Sequence, residues 1–349
     1  MPRRPPEKPI RDNRRMAETA NRVMVPGYRH VPGNHCGSTA LRNLLGFHGV
    51  EISEEMAFGL GAGACFYYVV LDEHSPTRFT NGRAARLEEN FLELTEVPLR
   101  LRTDPDPEAS WSLARGSVDE GHPVLLLTDL YYLDHYGRSA HFPGHAVVLA
   151  GYDEELAWLS DTAFEDLQTT SLDSLKEARH SQQPIFPLEG HAIDLPEGTA
   201  VSRDDLLAHA PEAIERAAKV MLEPPLGEYE GLPALRRFAA EVGSWPEAAQ
   251  DWQWCARFLY QVIERRGTGG GNFRGMYARF LAQAGYESES VIAAEAAAGW
   301  TKLAIAARDA SAPDDPDPKQ WEAISSGAAR VLEAEERLWT ALSGVAAPG

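Results

Sequence analysis

The chain has 349 residues, of which 44% are hydrophobic and 24% are charged, as is typical of a globular protein with a substantial core. This length predicts two domains. A formal charge of −19 argues against nucleic acid as a partner, because neutralising phosphates needs a basic face. No run of about 18 apolar residues is present, so we expect no membrane association either.

The N-terminus and the cysteines indicate in which cellular compartment the protein is found. Residues 1–24 are basic and proline-rich with no apolar core behind them, which predicts a flexible arm and not a secretory signal. The three cysteines lie far apart and form no CxxC pair, so neither a disulfide framework nor a zinc ribbon is expected. We therefore expect a cytoplasmic protein.

The elements that follow the arm mix helices with strands. The stretch CGSTALRNLLGF repeats its apolar residues at helical spacing and predicts a helix that begins at Cys36. A second short helix is predicted after the capping residue Ser53. Short apolar runs predict strands over 65–71, 123–130, 145–153 and 157–162, with a helix over 84–94 after the first of them.

The pattern changes near residue 200. From about Arg203 to Leu342 the chain is rich in Ala, Glu, Leu and Arg with helical periodicity. We therefore predict an α+β domain over 25–200 and an all-α domain over 201–349, which contains a glycine-rich loop at 267–271.

Cys36 is the candidate nucleophile. A helix N-terminus favours negative charge and so lowers the pKa of a thiol placed there. The structural alternative is a buried cysteine that packs as a small hydrophobe, and this is the interpretation we prefer for Cys65 and Cys255.

A base and an orienting carboxylate are available on later strands. His145 begins one predicted strand and Asp161 ends the next, so neighbouring antiparallel strands could hold them side by side. Asp153, at the turn between these strands, is the alternative carboxylate. The chain order Cys, His, Asp resembles that of papain-like enzymes.

The same resemblance implies an oxyanion donor. Papain-like enzymes carry a polar donor six residues before the cysteine, which here is His30, and His35 is the alternative. A metal site built from His35, Cys36, His141 and His145 is disfavoured, since HFPGH lacks the glutamate and the helix of a zincin motif. We expect no metal and no cofactor.

The loop GTGGG (267–271) joins two predicted helices. It meets neither the P-loop nor the dinucleotide-binding pattern, so it is either a helix cap and turn or a close approach to a backbone or ligand. On the second interpretation Gly269, Gly270 and Gly271 lie over the Cys36 cleft and bind substrate or carrier, while Arg274 meets an anion.

Four stretches together resemble the butirosin biosynthesis protein H family, whose N-terminal domain is papain-like and is followed by a helical domain. They are GYRHVPGNHCGSTALRNLL, GLGAGACFYY, PGHAVVLAGYD and RGTGGGNFRGMYARFL. The resemblance implies an acyltransferase of natural-product biosynthesis. In it Cys36 accepts an acyl or aminoacyl group from an acyl carrier protein or its phosphopantetheine thioester, His145 moves protons, and Asp161 orients His145. The acceptor is a small amine, and the products are amides or lactams.

Other activities remain open on the sequence alone. The same three residues could serve a thioesterase or cysteine peptidase, and a noncatalytic binding module is the third alternative. An acidic carrier protein needs a local basic patch, for which the chain offers two clusters. These clusters are Arg265, Arg266, Arg274 and Arg279, and Arg83, Arg86, Arg100 and Arg102.

Overall fold

The computed structural model describes residues 21–138, 140–183 and 186–344. Most of the predicted arm lies outside the described residues. Its last positions form a short strand, β1 (Val23–Met24), so the boundary at residue 24 is wrong for these two residues. They pair with a strand of the main sheet, which anchors the start of the described chain.

The first third of the chain carries two helices, a hairpin and a third helix. In chain order they are α1 (Cys36–Phe47), α2 (Glu54–Leu60), β2 (Ala64–Val70), β3 (Arg78–Arg83) and α3 (Leu87–Thr95). Ser53 Oγ accepts a hydrogen bond from Met56 N at 3.0 Å, as its predicted capping position requires. The sequence predicts β2 but not its partner β3, because RFTNGR has no apolar run.

The main sheet is antiparallel and is built mostly from the next hundred residues. The strands of this sheet and the helices between them are, in chain order, β4 (Arg100–Arg102), α4 (Pro107–Asp119), β5 (Val124–Thr128), β6 (His145–Tyr152), β7 (Leu156–Ser160), β8 (Gln168–Ser171), α5 (Leu172–Arg179) and β9 (Ala192–Asp194). The strands lie in the order β4-β9-β5-β6-β7-β8, and β1 pairs with the end of β6.

Both faces of the sheet are covered. Leu125 and Leu127 of β5 pack in the core shared with α1, while Val124 and Leu126 pack in a second core with α4 and α5. Successive strand residues point to opposite faces, so a strand buried on both sides is a continuous apolar run. This is why β5 and β6 are recognisable in the sequence, and why α1 is held against β6.

The helical region follows β9. It comprises α6 (Arg203–Leu207), α7 (Ala210–Leu222), α8 (Gly231–Glu241), α9 (Trp245–Ala248), α10 (Trp252–Glu264), α11 (Arg274–Gln283), α12 (Glu287–Ala310) and α13 (Pro318–Ser343). The elements confirm the predicted order of an α+β part followed by an all-α part, while the papain-like character of the first part stays a prediction. No helix in the described ranges is long and apolar enough to cross a membrane.

The two parts share one core through the β2–β3 hairpin. Phe66 of β2 packs against Phe238 of α8, with ring centroids 5.7 Å apart. Phe79 of β3 packs against Phe258 of α10 at 5.6 Å. The predicted boundary near residue 200 falls in the connection between β9 and α6, and the cores on its two sides are continuous.

Arg274 joins the hairpin to the C-terminal helix and is fully buried. Its Nε donates to Glu335 Oε1 at 2.8 Å, and its terminal nitrogens donate to the carbonyl oxygens of Cys65 and Gly82 at 2.9 and 3.0 Å. The prediction that Arg274 meets an anion of a substrate or carrier is therefore wrong, because its donors are used inside the fold. Glu335 also accepts from the indole nitrogens of Trp300 and Trp339.

Replacing Arg274 should destabilise the fold severely. Arg274→Met leaves the Glu335 carboxylate buried without a counter-charge, which we expect to lower the free energy of unfolding by about 3–5 kcal/mol. Arg279→Met is the matched control on the same helix, since its ion pair with Glu55 is exposed and is worth about 0–1 kcal/mol. Urea denaturation measures both, and equal losses would contradict the assignment of Arg274 to the core.

Candidate active site

Cys36 is the first residue of α1 and is half-buried. Ser38 N, in the first turn, donates to His35 Nδ1 at 3.2 Å. Within the described chain, the backbone N–H groups of Cys36 and Gly37 have no acceptor. These free donors and the positive end of the helix dipole lie at the sulfur, where they favour an anion.

Glu54 fixes the loop that leads into Cys36. Its Oε1 accepts hydrogen bonds from the backbone nitrogens of Asn34 and His35 at 2.8 and 2.6 Å. Its Oε2 accepts from the side chain of Asn34 at 3.2 Å. Sequence reasoning missed this residue, because a glutamate in the first turn of a helix is ordinary and its long-range partners leave no pattern.

His145 and Asp161 lie on neighbouring strands and are in contact. His145 begins β6, Asp161 directly follows β7, and His145 Nε2 donates to Asp161 Oδ2 at 3.1 Å. The other ring nitrogen of His145 remains for Cys36, and the two side chains are close enough that each shifts the pKa of the other. The structure thus brings together the three residues that the sequence selected. Asp153, the alternative carboxylate, instead accepts from Glu155 N and Leu156 N in the β6–β7 turn.

Each of the three residues shifts the pKa of the next, from Asp161 through His145 to Cys36. Burial works against a charged carboxylate at Asp161, but the charge of His145 and the hydrogen bond from His135 hold its pKa well below the usual range. Burial would likewise lower the pKa of His145, but Asp161 raises it to about 10. Burial would raise the pKa of the Cys36 thiol, but the hydrogen bond and charge of His145, with the charge of Arg83, lower it. The arrangement therefore favours a thiolate–imidazolium pair.

Two further residues hold Asp161 and were missed by the sequence analysis. His135 Nε2 donates to Asp161 Oδ2 at 2.9 Å, and the Tyr136 hydroxyl donates to Oδ1 at 3.2 Å. The Tyr136 ring also packs edge-on against His145, with centroids 5.6 Å apart. Both residues belong to a single 3₁₀ turn (Asp134–Tyr136), which is too short for a periodic pattern to mark a residue as buried.

Asp129 positions the segment before His145. Its Oδ1 accepts from Phe142 N at 2.9 Å, while His141 Nδ1 and the Ser181 hydroxyl donate to Oδ2 at 2.8 and 2.7 Å. His141 is thereby engaged in a structural contact. Among the described residues, no group of three or more His, Cys, Asp and Glu side chains converges as a metal site would require.

The oxyanion role predicted for His30 is wrong. His30 Nε2 donates to the carbonyl oxygen of Phe164 at 2.8 Å, and Nδ1 accepts from the Ser160 hydroxyl at 2.7 Å. With both nitrogens used, its ring has no donor left for a substrate oxygen. The alternative, His35, uses Nδ1 to cap α1, and its ring packs edge-on between Phe58 and Phe273.

The glycine-rich loop 267–271 lies against the loop that precedes Cys36. A Cβ on Gly267, which has a φ of +72°, would approach the carbonyl oxygen of Asn34 to 2.9 Å. The close approach to a backbone that the glycines suggested is therefore present at Gly267. A substrate- or carrier-binding role for Gly269, Gly270 and Gly271 stays a prediction.

The other two cysteines are buried. Burial and the nearby charge of Glu230 together raise the pKa of Cys65 to about 12. Burial also raises the pKa of Cys255, whose thiol lies beside Thr77 and Asp251. Of the three thiols, only Cys36 is both accessible and electrostatically activated.

The chain is similar to known families along most of its length. Residues 35–162 match the family described as butirosin biosynthesis protein H, N-terminal, and residues 173–342 match a domain of unknown function (DUF4872). No curated protein matches the chain. A solved structure described as a C39-like peptidase from Bacillus anthracis is 15% identical, with a TM-score of 0.36, over 51% of this chain and 99% of that one.

The pH dependence of Cys36 reactivity tests whether Asp161, through His145, lowers the pKa of the Cys36 thiol. A thiolate exists above the pKa of Cys36, so alkylation by iodoacetamide should reach half its maximal rate at a pH below the range of an ordinary thiol. In Asp161→Asn the pKa of His145 falls and the imidazolium is lost. The alkylation midpoint should then move up by about one pH unit or more.

Site-resolved mass spectrometry separates Cys36 from the two buried thiols in this experiment. Asp153→Asn, which alters only the turn carboxylate, is the control and should keep the wild-type midpoint. An unchanged midpoint in Asp161→Asn would refute the assignment of Asp161 as the residue that sets the charge of His145.

Replacing Gly267 tests whether the glycine-rich loop positions the nucleophile. Gly267→Ala should push Asn34 away and slow alkylation of Cys36 several-fold. Gly49→Ala has comparable backbone strain, with a φ of +82°, but its Cβ would meet no atom within 4 Å, so Cys36 should react normally. The hypothesis fails if the two variants alkylate at the same rate.

Proposed function

We propose that this chain, whose residues 35–162 match the butirosin biosynthesis protein H family, is a cysteine-dependent acyltransferase. It moves an acyl or aminoacyl group from a carrier-protein thioester to an amine through a thioester on Cys36. The observation that carries this proposal is the half-buried Cys36 thiol at a helix N-terminus, whose pKa is lowered by a histidine that a buried aspartate keeps charged.

The geometry supports a two-step mechanism. In the first step the Cys36 thiolate attacks the donor carbonyl carbon, the donor C–S bond breaks, and the proton of His145 goes to the leaving thiol. In the second step the nitrogen of the amine attacks the thioester carbon. The C–N bond forms, the C–S bond to Cys36 breaks, and neutral His145 accepts the proton. Asp161 stays ionised and holds the imidazole in one orientation.

Backbone donors take the oxyanion role that His30 cannot fill. The tetrahedral intermediates of both steps place a negative oxygen beside the first turn of α1. There the N–H groups of Cys36 and Gly37 have no acceptor within the described chain. Such fixed donors stabilise the intermediate more than the ground-state carbonyl, which is what catalysis requires.

Docking of an acidic carrier protein stays a proposal, and the structure narrows its candidate residues. Arg274 is buried, Arg100 and Arg102 pair with Asp194, and Arg86 pairs with Glu89. Arg265 and Arg266 are exposed beside the glycine-rich loop. This pair is therefore the part of the two predicted basic clusters that best suits a carrier that delivers its thioester to Cys36.

Intact-mass analysis tests the acyl-enzyme directly. Incubation with the propionyl thioester of N-acetylcysteamine should add one propionyl group to the wild-type protein, because the activated thiol exchanges with a thioester. Cys36→Ala should gain no mass, while the control Cys255→Ala should be acylated normally. A binding module would form no adduct in any of the three proteins.

The same assay separates transfer from hydrolysis. After donor is removed, addition of 1,3-diaminopropane to the acylated protein should release propionyl amide faster than water releases propionic acid. Release of free acid at an unchanged rate would instead identify a thioesterase or peptidase that uses the same three residues.

A further inference from the structure

Glu88 lies beside the nucleophile and is not used in the mechanism above. It is the second residue of α3 and is buried, with only 7% of the residue exposed. A Cβ on Gly37 would overlap Glu88 Oε1, so the carboxylate lies directly against the first turn of α1, one residue from Cys36. The absence of a side chain at Gly37 is what allows this approach.

Among the described residues, the Glu88 carboxylate forms no ion pair and no hydrogen bond with another side chain. Within the described chain it is bonded only to its own backbone N–H. The charge of Arg83 favours the ionised carboxylate, but the two side chains form no ion pair in the described chain. Arg83 instead donates to the carbonyl oxygen of Ala84 and lies over the Phe142 ring at 5.8 Å. A buried carboxylate without a partner is costly, and burial raises the pKa of Glu88 accordingly.

Without a substrate, the Glu88 carboxylate also disfavours the thiolate form of Cys36. Its negative charge raises the pKa of Cys36, in opposition to His145 and Arg83. A favourable charge for the N-terminus of α3 is already supplied by the neighbouring Glu89, which pairs with Arg86 at the surface. A positively charged group of the substrate would give this carboxylate the ion-pair partner that the described residues do not supply.

We propose that Glu88 is the subsite for a substrate ammonium group that lies beside the thioester formed on Cys36. The proposal rests on the proposed function and deepens it. A carboxylate in a site of low dielectric binds an ammonium by a charge-assisted hydrogen bond, which would also neutralise the charge that disfavours the thiolate. The ammonium can come from the acceptor amine or from an amino group on the acyl chain, and the experiment distinguishes them.

The acceptor arm compares a charged with an uncharged nucleophile on propionylated protein. In Glu88→Gln, release of propionyl amide by 1,3-diaminopropane should fall about tenfold, the loss of one charge-assisted contact. Release by hydroxylamine, which is uncharged at neutral pH, should stay within about twofold of wild type.

The donor arm compares β-alanyl with propionyl N-acetylcysteamine thioester, which differ by one amino group. If the ammonium belongs to the acyl chain, Glu88→Gln should slow acylation by the β-alanyl donor about tenfold relative to acylation by the propionyl donor. Glu89→Gln removes a neighbouring charge and is the control in both arms, and Glu88→Asp should restore part of the effect. A purely structural Glu88 would change all substrates alike.

A third readout does not depend on acylation. 1,3-Diaminopropane and β-alanine amide should protect Cys36 from iodoacetamide in the wild type and in Glu89→Gln but not in Glu88→Gln. If no acyl adduct forms and this protection persists, the acyltransferase proposal fails while the ammonium subsite stands. If Glu88→Gln matches the wild type in protection and in both arms, the subsite is refuted.

Discussion

The buried carboxylate of Asp161 is the constraint on which the site depends. It accepts hydrogen bonds from His145, His135 and Tyr136, and so it remains charged in an interior that would otherwise neutralise it. That charge keeps His145 protonated, and His145 in turn lowers the pKa of the Cys36 thiol. The reactivity of the Cys36 sulfur therefore depends on the hydrogen bonds that His135 and Tyr136 donate to Asp161.

The position of the sulfur depends on a separate set of contacts. Glu54 holds the backbone of Asn34 and His35, Gly267 packs on the carbonyl of Asn34, and the His35 ring is enclosed by Phe58 and Phe273. Gly267 and Phe273 belong to the helical half of the chain. The second half thus contributes the wall against which the nucleophile loop is fixed, and the site is rigid because two distant segments share one core.

The sequence predicts the elements whose burial follows a period. The α1 helix, the strands of the sheet that are buried on both faces, and the helices after Arg203 all belong to this class, as do the strand ends that hold His145 and Asp161. The β3 strand, His135 and Glu54 could not be predicted, since they depend on contacts between residues far apart in the sequence. His30 and Arg274 were misassigned for the same reason. The sequence does not show whether a polar side chain forms its hydrogen bonds inside the fold or is free to bind a ligand.

The contact of Arg274 with Glu335 and with two carbonyl groups of the hairpin bears on how the chain can be divided. Two family descriptions meet between residues 162 and 173, yet the carbonyls of Cys65 and Gly82 receive their donors from α11. The first half alone would expose the apolar face of β2 to water and would lose the buried Arg274 that donates to these carbonyls. The two halves match separate family descriptions but share one core, so we expect neither half to fold stably without the other.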